Sequence, residues 1–257
     1  MAERKSYSPG TPSWVDLGTA DTQAAARFYG ELFGWVAAFD PRAEAGGYGM
    51  FSLRDHLVAG IGPQTDPGPP HWAVYVSVAD IDATAAKVVD NGGKLLVGPM
   101  EVLTAGRFAV AEDPAGSVFS LWQPGDHAGA GLVNEPGAFT WNELATTDLP
   151  GTRDFYISVF AWGAEGDANN PNAAIFTIGG KPVCGAHAAN PGEHPAWSIW
   201  FAVDDCDAST EKARGLGASV LMPPADLDFG RGAVVADPQG AVFGIGAVND
   251  TTPGYTS

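Results

Sequence analysis

The sequence predicts an α+β protein built from four βαβββ modules, which are paired into two tandem halves. The first observation behind this prediction is an internal repeat. Three segments return later in the chain: 14–35 at 141–162, 72–93 at 197–218, and 106–122 at 230–246. The second observation is periodicity, because each repeat alternates strand-like runs of period two with a helical run of apolar residues. The length of 257 residues therefore predicts two domains of ordinary size.

The first module follows the order strand, helix, strands. Val15 and Leu17 alternate with Trp14, Asp16 and Gly18, which predicts a strand of period two. Asp21 is a typical helix N-cap, and Gly34 closes the apolar pattern of the helix that follows it. Short runs at 47–53 and 57–61 are bounded by turn residues and predict a meander of strands.

The second module repeats this order, and the second half of the chain repeats both modules. The module has a predicted strand at 73–78, a helix from about residue 80 to 91, and strands near 107–111 and 117–122. Gly, Pro and polar residues concentrate between the halves and indicate a linker. We place the boundaries as follows: tail 1–11, first domain 12–124, linker 125–138, second domain 139–248, tail 249–257.

Charge and composition limit the function classes. Asp and Glu outnumber Lys and Arg by 30 to 13, and a net charge of −17 repels phosphate backbones and anionic lipid headgroups. We therefore expect no nucleic-acid partner and no membrane partner. No run approaches a membrane span of ~20 apolar residues, and the first residues have no apolar secretory segment. The expected location is the cytoplasm, and the expected state is a monomer or homodimer that takes a small-molecule ligand.

Specific motifs carry a resemblance to a known family. The helices contain Phe28-Tyr29 and Phe155-Tyr156, and the turns EDPAGSVF (112–119) and ADPQGAVF (236–243) recur in the two halves. With the four βαβββ modules, they resemble the vicinal oxygen chelate (VOC) superfamily, which includes glyoxalase I, bleomycin-resistance proteins and extradiol dioxygenases. The resemblance implies curved mixed sheets that form cups, with the helices outside. In catalytic members, it also implies a divalent metal held in the cup by His, Gln or Glu.

The family's metal ligands are missing at the aligned positions. The first-strand ligand position falls on Trp14 and Trp141, and an indole N–H can donate a hydrogen bond but cannot coordinate a cation. The other aligned positions hold Gly60, Ala73, Ser120, Gly185, Ser198 and Gly244. None of the five histidines aligns with a ligand position. We therefore predict no cofactor, and a divalent metal only if other residues bind it.

Aromatic residues take the place of those ligands. Strand parity directs a mixed set of aromatic and acidic side chains into the cups, and these are the predicted ligand-binding residues. They are Trp14, Asp16, Tyr75 and Trp122 in the first half, and Trp141, Glu143 and Trp200 in the second. Large indoles opposite Gly, Ala and Ser leave flat slots that suit a small planar ligand.

Three functions stay open at this point. The first is a glyoxalase/bleomycin-resistance-like protein without the family metal ligands, which binds a small aromatic molecule, neutral or cationic, in an indole-lined cup. The second is a VOC-type lyase, isomerase or oxygenase that uses relocated metal ligands or a Glu143–His187 acid–base pair. Because His187 has Gly62 as its counterpart, that pair would be unique to the second half. The third is a protein whose cups are simply filled by side chains.

Overall fold

The computed structural model describes residues 3–65, 67–166 and 170–248. The predicted tail at 249–257 lies outside the described residues, as does the beginning of the predicted N-terminal tail. None of the helices in the described ranges is long and apolar enough to cross a membrane.

Each half contains the same sequence of strands and helices. The first half contains β1 (Pro12–Thr19), α1 (Thr22–Phe33), β2 (Val36–Phe39), β3 (Gly49–Leu53), β4 (His56–Pro63), β5 (His71–Ser77), α2 (Ile81–Asp90), β6 (Lys94–Val102), β7 (Gly106–Glu112) and β8 (Val118–Pro124). The second half contains β9 (Phe139–Thr146), α3 (Leu149–Phe160), β10 (Gly163–Gly166), β11 (Ala173–Ile178), β12 (Lys181–Ala188), β13 (Ala196–Ala202), α4 (Cys206–Gly215), β14 (Ser219–Leu227), β15 (Gly230–Ala236) and β16 (Val242–Val248).

The strands form two mixed sheets of eight strands, one in each half. The orders are β2-β3-β4-β1-β5-β8-β7-β6 and β10-β11-β12-β9-β13-β16-β15-β14. In the first sheet, β1 pairs with β4 and β5 pairs with β8 in parallel, while β1 and β5 are antiparallel. The second sheet repeats this pattern. The predicted α+β fold of four βαβββ modules is confirmed, and each cup is built within one half.

The helices begin and end where the sequence predicts. An aspartate N-cap starts each of the four described helices, and its side chain accepts a hydrogen bond from the backbone N–H three residues on. Gly34 ends α1 with φ +76°, a left-handed conformation that glycine adopts without strain. The equivalent residue in α3 is Ala161, which adopts the same conformation at φ +57°.

Two edge strands of the first sheet were not located from the sequence. Strand β2 contains only four residues, two of them alanine, and β6 includes the sequence Gly98-Pro99. Both lie at sheet edges, where half of the residues face solvent and the hydrophobic alternation is weak.

Aromatic side chains fill the interface between the halves. Helix α1 packs on the other half, where the Tyr29 ring lies 5.5 Å from Phe243 and the Phe33 ring lies 5.3 Å from Phe201. Helix α3 makes the reciprocal contact, with Tyr156 at 5.5 Å from Phe119. The sheets themselves touch through faces opposite the cups. This shared core explains why the concave faces of both sheets remain available for the cups.

Two equivalent chains of buried hydrogen bonds cross this interface. Trp72 Nε1 donates to Tyr29 Oη, and Tyr29 Oη donates to Asp237 Oδ2 in the other half, each at 3.1 Å. The duplicate chain runs from Trp197 through Tyr156 to Asp113 with the same distances. Asp113 and Asp237 belong to the repeated Asp-Pro turns. The motif that marks the family in the sequence therefore also joins the two halves.

We predict that Tyr29→Phe lowers the free energy of unfolding by about 2 kcal/mol. The change removes the hydrogen-bond partner of the buried Trp72 N–H and of Asp237 Oδ2, while apolar packing is kept. Asp237 Oδ1 retains its backbone donors. Urea denaturation measures this, with Ser52→Ala as the control because the Ser52 hydroxyl makes an exposed 3.4 Å bond. An unfolding free energy equal to that of the unmodified protein would show that the hydrogen bonds of Tyr29 do not contribute to stability.

Candidate functional site

The two cups are centred on equivalent strands. In the first cup, β1 lies between β4 and β5, and Asp16 is paired with Gly60 on one side and with Ala73 on the other. In the second cup, β9 lies between β12 and β13, and Glu143 is paired with Gly185 and Ser198. The strand register thus brings Asp16 and Glu143 to the same position in their respective cups.

A closed hydrogen-bond network surrounds Asp16. Its Oδ2 accepts hydrogen bonds from Tyr75 Oη at 2.9 Å and Tyr48 Oη at 3.2 Å. Trp14 Nε1 donates to Tyr48 Oη at 3.1 Å. Burial raises the pKa of the Asp16 carboxyl to about 6, although the hydrogen bonds from Tyr75 and Tyr48 favour its ionised form. The Tyr48 ring lies over Gly60, where any Cβ would overlap it.

The predicted linker also enters the first cup. The His127 ring packs edge-on against Trp14 at 4.4 Å and against Trp122 at 5.7 Å, and its backbone carbonyl accepts from Trp122 Nε1 at 2.9 Å. Burial lowers the pKa of His127 to about 4, so the ring is neutral. Trp14 is 3% exposed and Trp122 is 6% exposed. Side chains of the protein itself therefore occupy the space between these indoles.

In the second cup, a carboxylate and a histidine are hydrogen-bonded. Glu143 Oε1 lies 3.1 Å from His187 Nδ1, and Glu143 Oε2 accepts from Trp141 Nε1 at 2.9 Å. The other ring nitrogen, His187 Nε2, lies 3.3 Å from Glu193 Oε1. Two carboxylates can accept from both ring nitrogens only when the ring is a cation. The hydrogen bond to Glu143 accordingly raises the pKa of His187, and burial opposes this only in part.

A flat indole forms one wall of the second cup. Trp200 lies across Gly244, where any Cβ would overlap its ring, and it pairs with Trp141 on the adjacent strand. The Phe229 ring meets Trp200 edge-on at 5.3 Å. Phe229 also covers Gly246, the counterpart of Trp122, and so fills part of the space that Trp122 fills in the first cup.

The two cups differ in how far their predicted residues are exposed. Trp141 and Trp200 are half-buried, whereas Trp14 and Trp122 are buried. The side chains of Glu143 and His187 are 25% and 26% exposed, respectively. The strand register explains part of this difference, because Ala173, which pairs with His187, stands where the first cup has Tyr48. The indoles of the second cup are thus more exposed than those of the first, which Tyr48 and His127 cover, while Asp16 and Tyr75 are half-buried like Glu143.

The metal that the family resemblance implies does not fit these side chains. Within the described ranges, no three His, Cys, Asp or Glu residues converge as a metal site. Trp14 and Trp141 occupy the first-strand positions and donate hydrogen bonds to Tyr48 and Glu143. Both ring nitrogens of His187 are already hydrogen-bonded to carboxylates. No metal-dependent step is therefore assigned to either cup.

Four residues shape the cups without having been identified from the sequence: Tyr48, His127, Glu193 and Phe229. They come from loops or the linker rather than from the four central strands of each sheet, which are β4, β1, β5 and β8 and their equivalents. Strand parity therefore cannot predict them. One signal was available for Tyr48 and Phe229. Glycines such as Gly60 and Gly246 in a central strand indicate that a large side chain lies over the backbone.

We predict that Asp16→Asn stabilises the protein more at about pH 7 than at about pH 4. The pKa of Asp16 is about 6 in the folded protein, above its ordinary value of 3.8, so the folded state binds the proton more tightly. Its contribution to stability is present below about pH 4 and is lost as the pH rises through about 6. Urea denaturation across this range measures the effect.

The control for this prediction is Asp126→Asn, because Asp126 is an exposed residue outside the Asp16 network. A stability difference between Asp16→Asn and the unmodified protein that stays constant from about pH 4 to about pH 7 would contradict the prediction.

Comparisons with known proteins agree with this architecture. The family model described as Glyoxalase/Bleomycin resistance protein/Dioxygenase superfamily matches residues 11–121, and the model of a glyoxalase-like domain matches 141–246. A Mycobacterium bovis protein named "Putative glyoxylase CFP32" is 40% identical over 255 residues, covering 95% of this chain and 97% of that protein. The "Anthracycline biosynthesis protein DnrV" of Streptomyces peucetius is 37% identical over 265 residues, covering 96% of each chain.

Solved structures share the fold at low sequence identity. The Mn(II)-bound glyoxalase from Novosphingobium aromaticivorans has a TM-score of 0.65 at 15% identity, covering 92% of this chain and 81% of that one. The 2,3-dioxygenase LapB from Pseudomonas sp. KL28 has a TM-score of 0.63 at 15% identity, covering 95% and 96%. The two tandem family matches and the relatives aligned along almost the whole chain show that this protein belongs to the Glyoxalase/Bleomycin resistance protein/Dioxygenase superfamily.

Proposed function

We propose that the protein binds a small planar aromatic molecule in its second cup, between Trp141 and Trp200, with Glu143 and His187 as polar partners. The observation that carries this proposal is the difference between the duplicate cups. The indoles of the first cup are buried under Tyr48 and His127, and those of the second are half-buried. We assign the first-cup residues Trp14, Asp16, Tyr75 and Trp122 to packing.

The shape of the second cup favours a flat ligand. The backbone around Gly244 and Gly232 lets Trp200 lie flat on the sheet, and this leaves an indole face as a wall. A planar ring stacked on an indole gains contact area at little entropic cost, and a cationic ring would gain roughly 0.5–2 kcal/mol more. The chain has a net charge of −17, which attracts cationic ligands.

The polar pair gives the ligand an orientation. Glu143 is held by Trp141 on one oxygen and by His187 on the other, so its position is fixed before the ligand arrives. Glu193 lies on the exposed loop between β12 and β13, and its carboxylate is hydrogen-bonded to His187 Nε2. A ligand hydroxyl or carbonyl oxygen that takes the place of Glu193 could accept a hydrogen bond from the protonated ring.

One named relative supports a polycyclic ligand. The 37%-identical protein bears a name that places it in anthracycline biosynthesis, and anthracyclines are planar aromatic compounds with hydroxyl and carbonyl groups. Such a compound offers both a flat face for the indoles and oxygens for His187. We therefore propose aromatic polycycles as the ligand class.

A second candidate function is proton-transfer catalysis on the same bound molecule. The Glu143–His187 hydrogen bond at 3.1 Å is the arrangement in which a carboxylate orients an imidazole for acid–base work. Once Glu193 is displaced, Nε2 of His187 could give a proton to a ligand oxygen or accept one from an adjacent carbon. A metal-free isomerase or lyase would follow from this chemistry.

We predict that Ala173→Tyr weakens aromatic binding at least tenfold, because it introduces in the second cup the side chain that closes the first. Quenching of Trp fluorescence by an anthracycline, a neutral anthraquinone and a cationic acridine measures the binding. Asp16→Asn, in the filled cup, is the matched control and should leave binding unchanged. Equal binding by Ala173→Tyr and the unmodified protein would show that the ligand does not bind in the second cup.

We also predict that Glu143→Gln lowers the pKa of His187, because the hydrogen bond to Glu143 is the largest cause of its elevation. Titration of the histidine ring protons by NMR measures this shift directly. The exposed His71 serves as the internal control, since it lies on β5 in the other half of the chain. An unchanged His187 pKa would remove the basis for the acid–base candidate.

A further inference from the structure

A surface cavity of about 430 Å³ lies away from both cups, where the two halves meet beside the helices. Its walls come from both halves. The start of α3 contributes Asp148 and Phe155, and the Asp-Pro turn after β7 contributes Pro114 and Ala115. The cavity is independent of the proposed function, because none of these residues lines the second cup.

We call the place where the start of α3 meets the Asp-Pro turn after β7 a junction, and the internal repeat supplies a second copy of it for comparison. There, the start of α1 meets the turn after β15, and the Gln239 side chain spans the gap. Gln239 Nε2 donates to the backbone carbonyl of Asp21 at 2.9 Å, and Gln239 Oε1 accepts from the backbone N–H of the same residue at 2.9 Å. A carboxamide group therefore forms two hydrogen bonds with one helix-capping residue.

The backbones of the two turns match closely in their hydrogen bonds. Asp113 Oδ1 accepts from the N–H groups of Ala115 and Ser117 at 2.9 and 2.8 Å. In the duplicate turn, Asp237 Oδ1 accepts from Gln239 and Ala241 at 2.8 and 3.0 Å. Ala115 thus stands where Gln239 stands, but its methyl group is too short to reach Asp148. The cavity contains the space that a carboxamide fills in the other copy.

Two further differences affect this space. Gly151 and Ser158 in α3 stand where α1 has Ala24 and Glu31, so smaller side chains line the cavity. The Asp148 N–H donates to Thr146 Oγ1 at 3.2 Å, a longer bond than the one its counterpart Asp21 makes with Gln239. The Asp148 backbone carbonyl has a second lone pair. The equivalent lone pair of the Asp21 carbonyl accepts the hydrogen bond from Gln239 Nε2.

We propose that this cavity binds a small molecule through a primary carboxamide, which takes the place of the missing glutamine side chain at Asp148. The amide N–H donates to the Asp148 carbonyl, and the amide oxygen accepts from the Asp148 N–H in exchange for the 3.2 Å bond to Thr146 Oγ1. Thr146 Oγ1 keeps its 2.7 Å hydrogen bond with Thr152 Oγ1. Phe155 and Pro114 provide apolar surface for the remainder of the molecule. A carboxylate of the same shape is disfavoured, because it has no N–H to donate and faces the Asp148 side chain.

Titration of the full ¹⁵N-labelled chain with benzamide tests this proposal by NMR. We expect saturable shifts of the Asp148 and Thr152 backbone amides, and binding of benzoate at least tenfold weaker. Ala115→Gln should abolish these shifts, because it restores the side chain that fills the other junction. Aromatic quenching in the second cup should be unchanged in this variant, which separates the two sites.

The duplicate junction supplies the matched variant. Gln239→Ala should open a second site and add benzamide-dependent shifts at Asp21 and Ala25, and this arm remains decisive if Ala115→Gln fails to fold. The proposal is overturned if Ala115→Gln binds benzamide as the unmodified protein does. It is also overturned if benzoate binds equally well, or if folded Gln239→Ala shows no new shifts.

Discussion

The hydrogen bonds that join Tyr29 to Asp237 and Tyr156 to Asp113 are the constraint on which the rest of the structure depends. They lie in a buried aromatic core, where an unpaired donor or carboxylate costs about 1–3 kcal/mol or more. Satisfying them fixes α1 and α3 each against an Asp-Pro turn of the other half. The convex faces of the sheets thereby pack in the shared core, and the concave faces form the cups.

Duplication gives each half the same backbone, and side chains then decide what each cup does. Both cups place a carboxylate opposite a glycine on the neighbouring strand. In the first cup, Tyr48 and Tyr75 hydrogen-bond to this carboxylate, and the linker residue His127 packs against the indoles. In the second, the carboxylate holds His187, and both remain partly exposed. A single residue pair, Tyr48 and Ala173, accounts for much of this difference.

The same principle operates at the junctions between the halves. Gln239 bridges one junction through its carboxamide, and Ala115 leaves the other open. Because the turns that carry them have matching backbone hydrogen bonds, each copy indicates what chemistry the other can accommodate. Internal repeats thus provide a comparison within one chain that would otherwise need a second structure.

Repeats and helix caps made the fold predictable from sequence, since Asp21, Asp148 and the Asp-Pro turns have local signatures. The face of each central strand was equally predictable from parity, which placed Glu143 and His187 in one cup. Loop residues such as Tyr48 and Glu193 reach the cups through tertiary packing, and no local pattern encodes that. Edge strands β2 and β6 were missed because apolar residues such as Val36, Leu96 and Met100 occupy their exposed positions, so polar and apolar residues do not alternate along the sequence.

We propose that side chains fill one of the duplicate cups and that the other cup receives a planar ligand. A crystal structure of the protein grown with the tightest-binding aromatic compound tests it most directly. We predict density for one ligand molecule against Trp141 and Trp200, with Tyr48 and His127 still packed in the first cup. Density in the first cup, with Tyr48 or His127 displaced and the second cup free of ligand, would contradict this account.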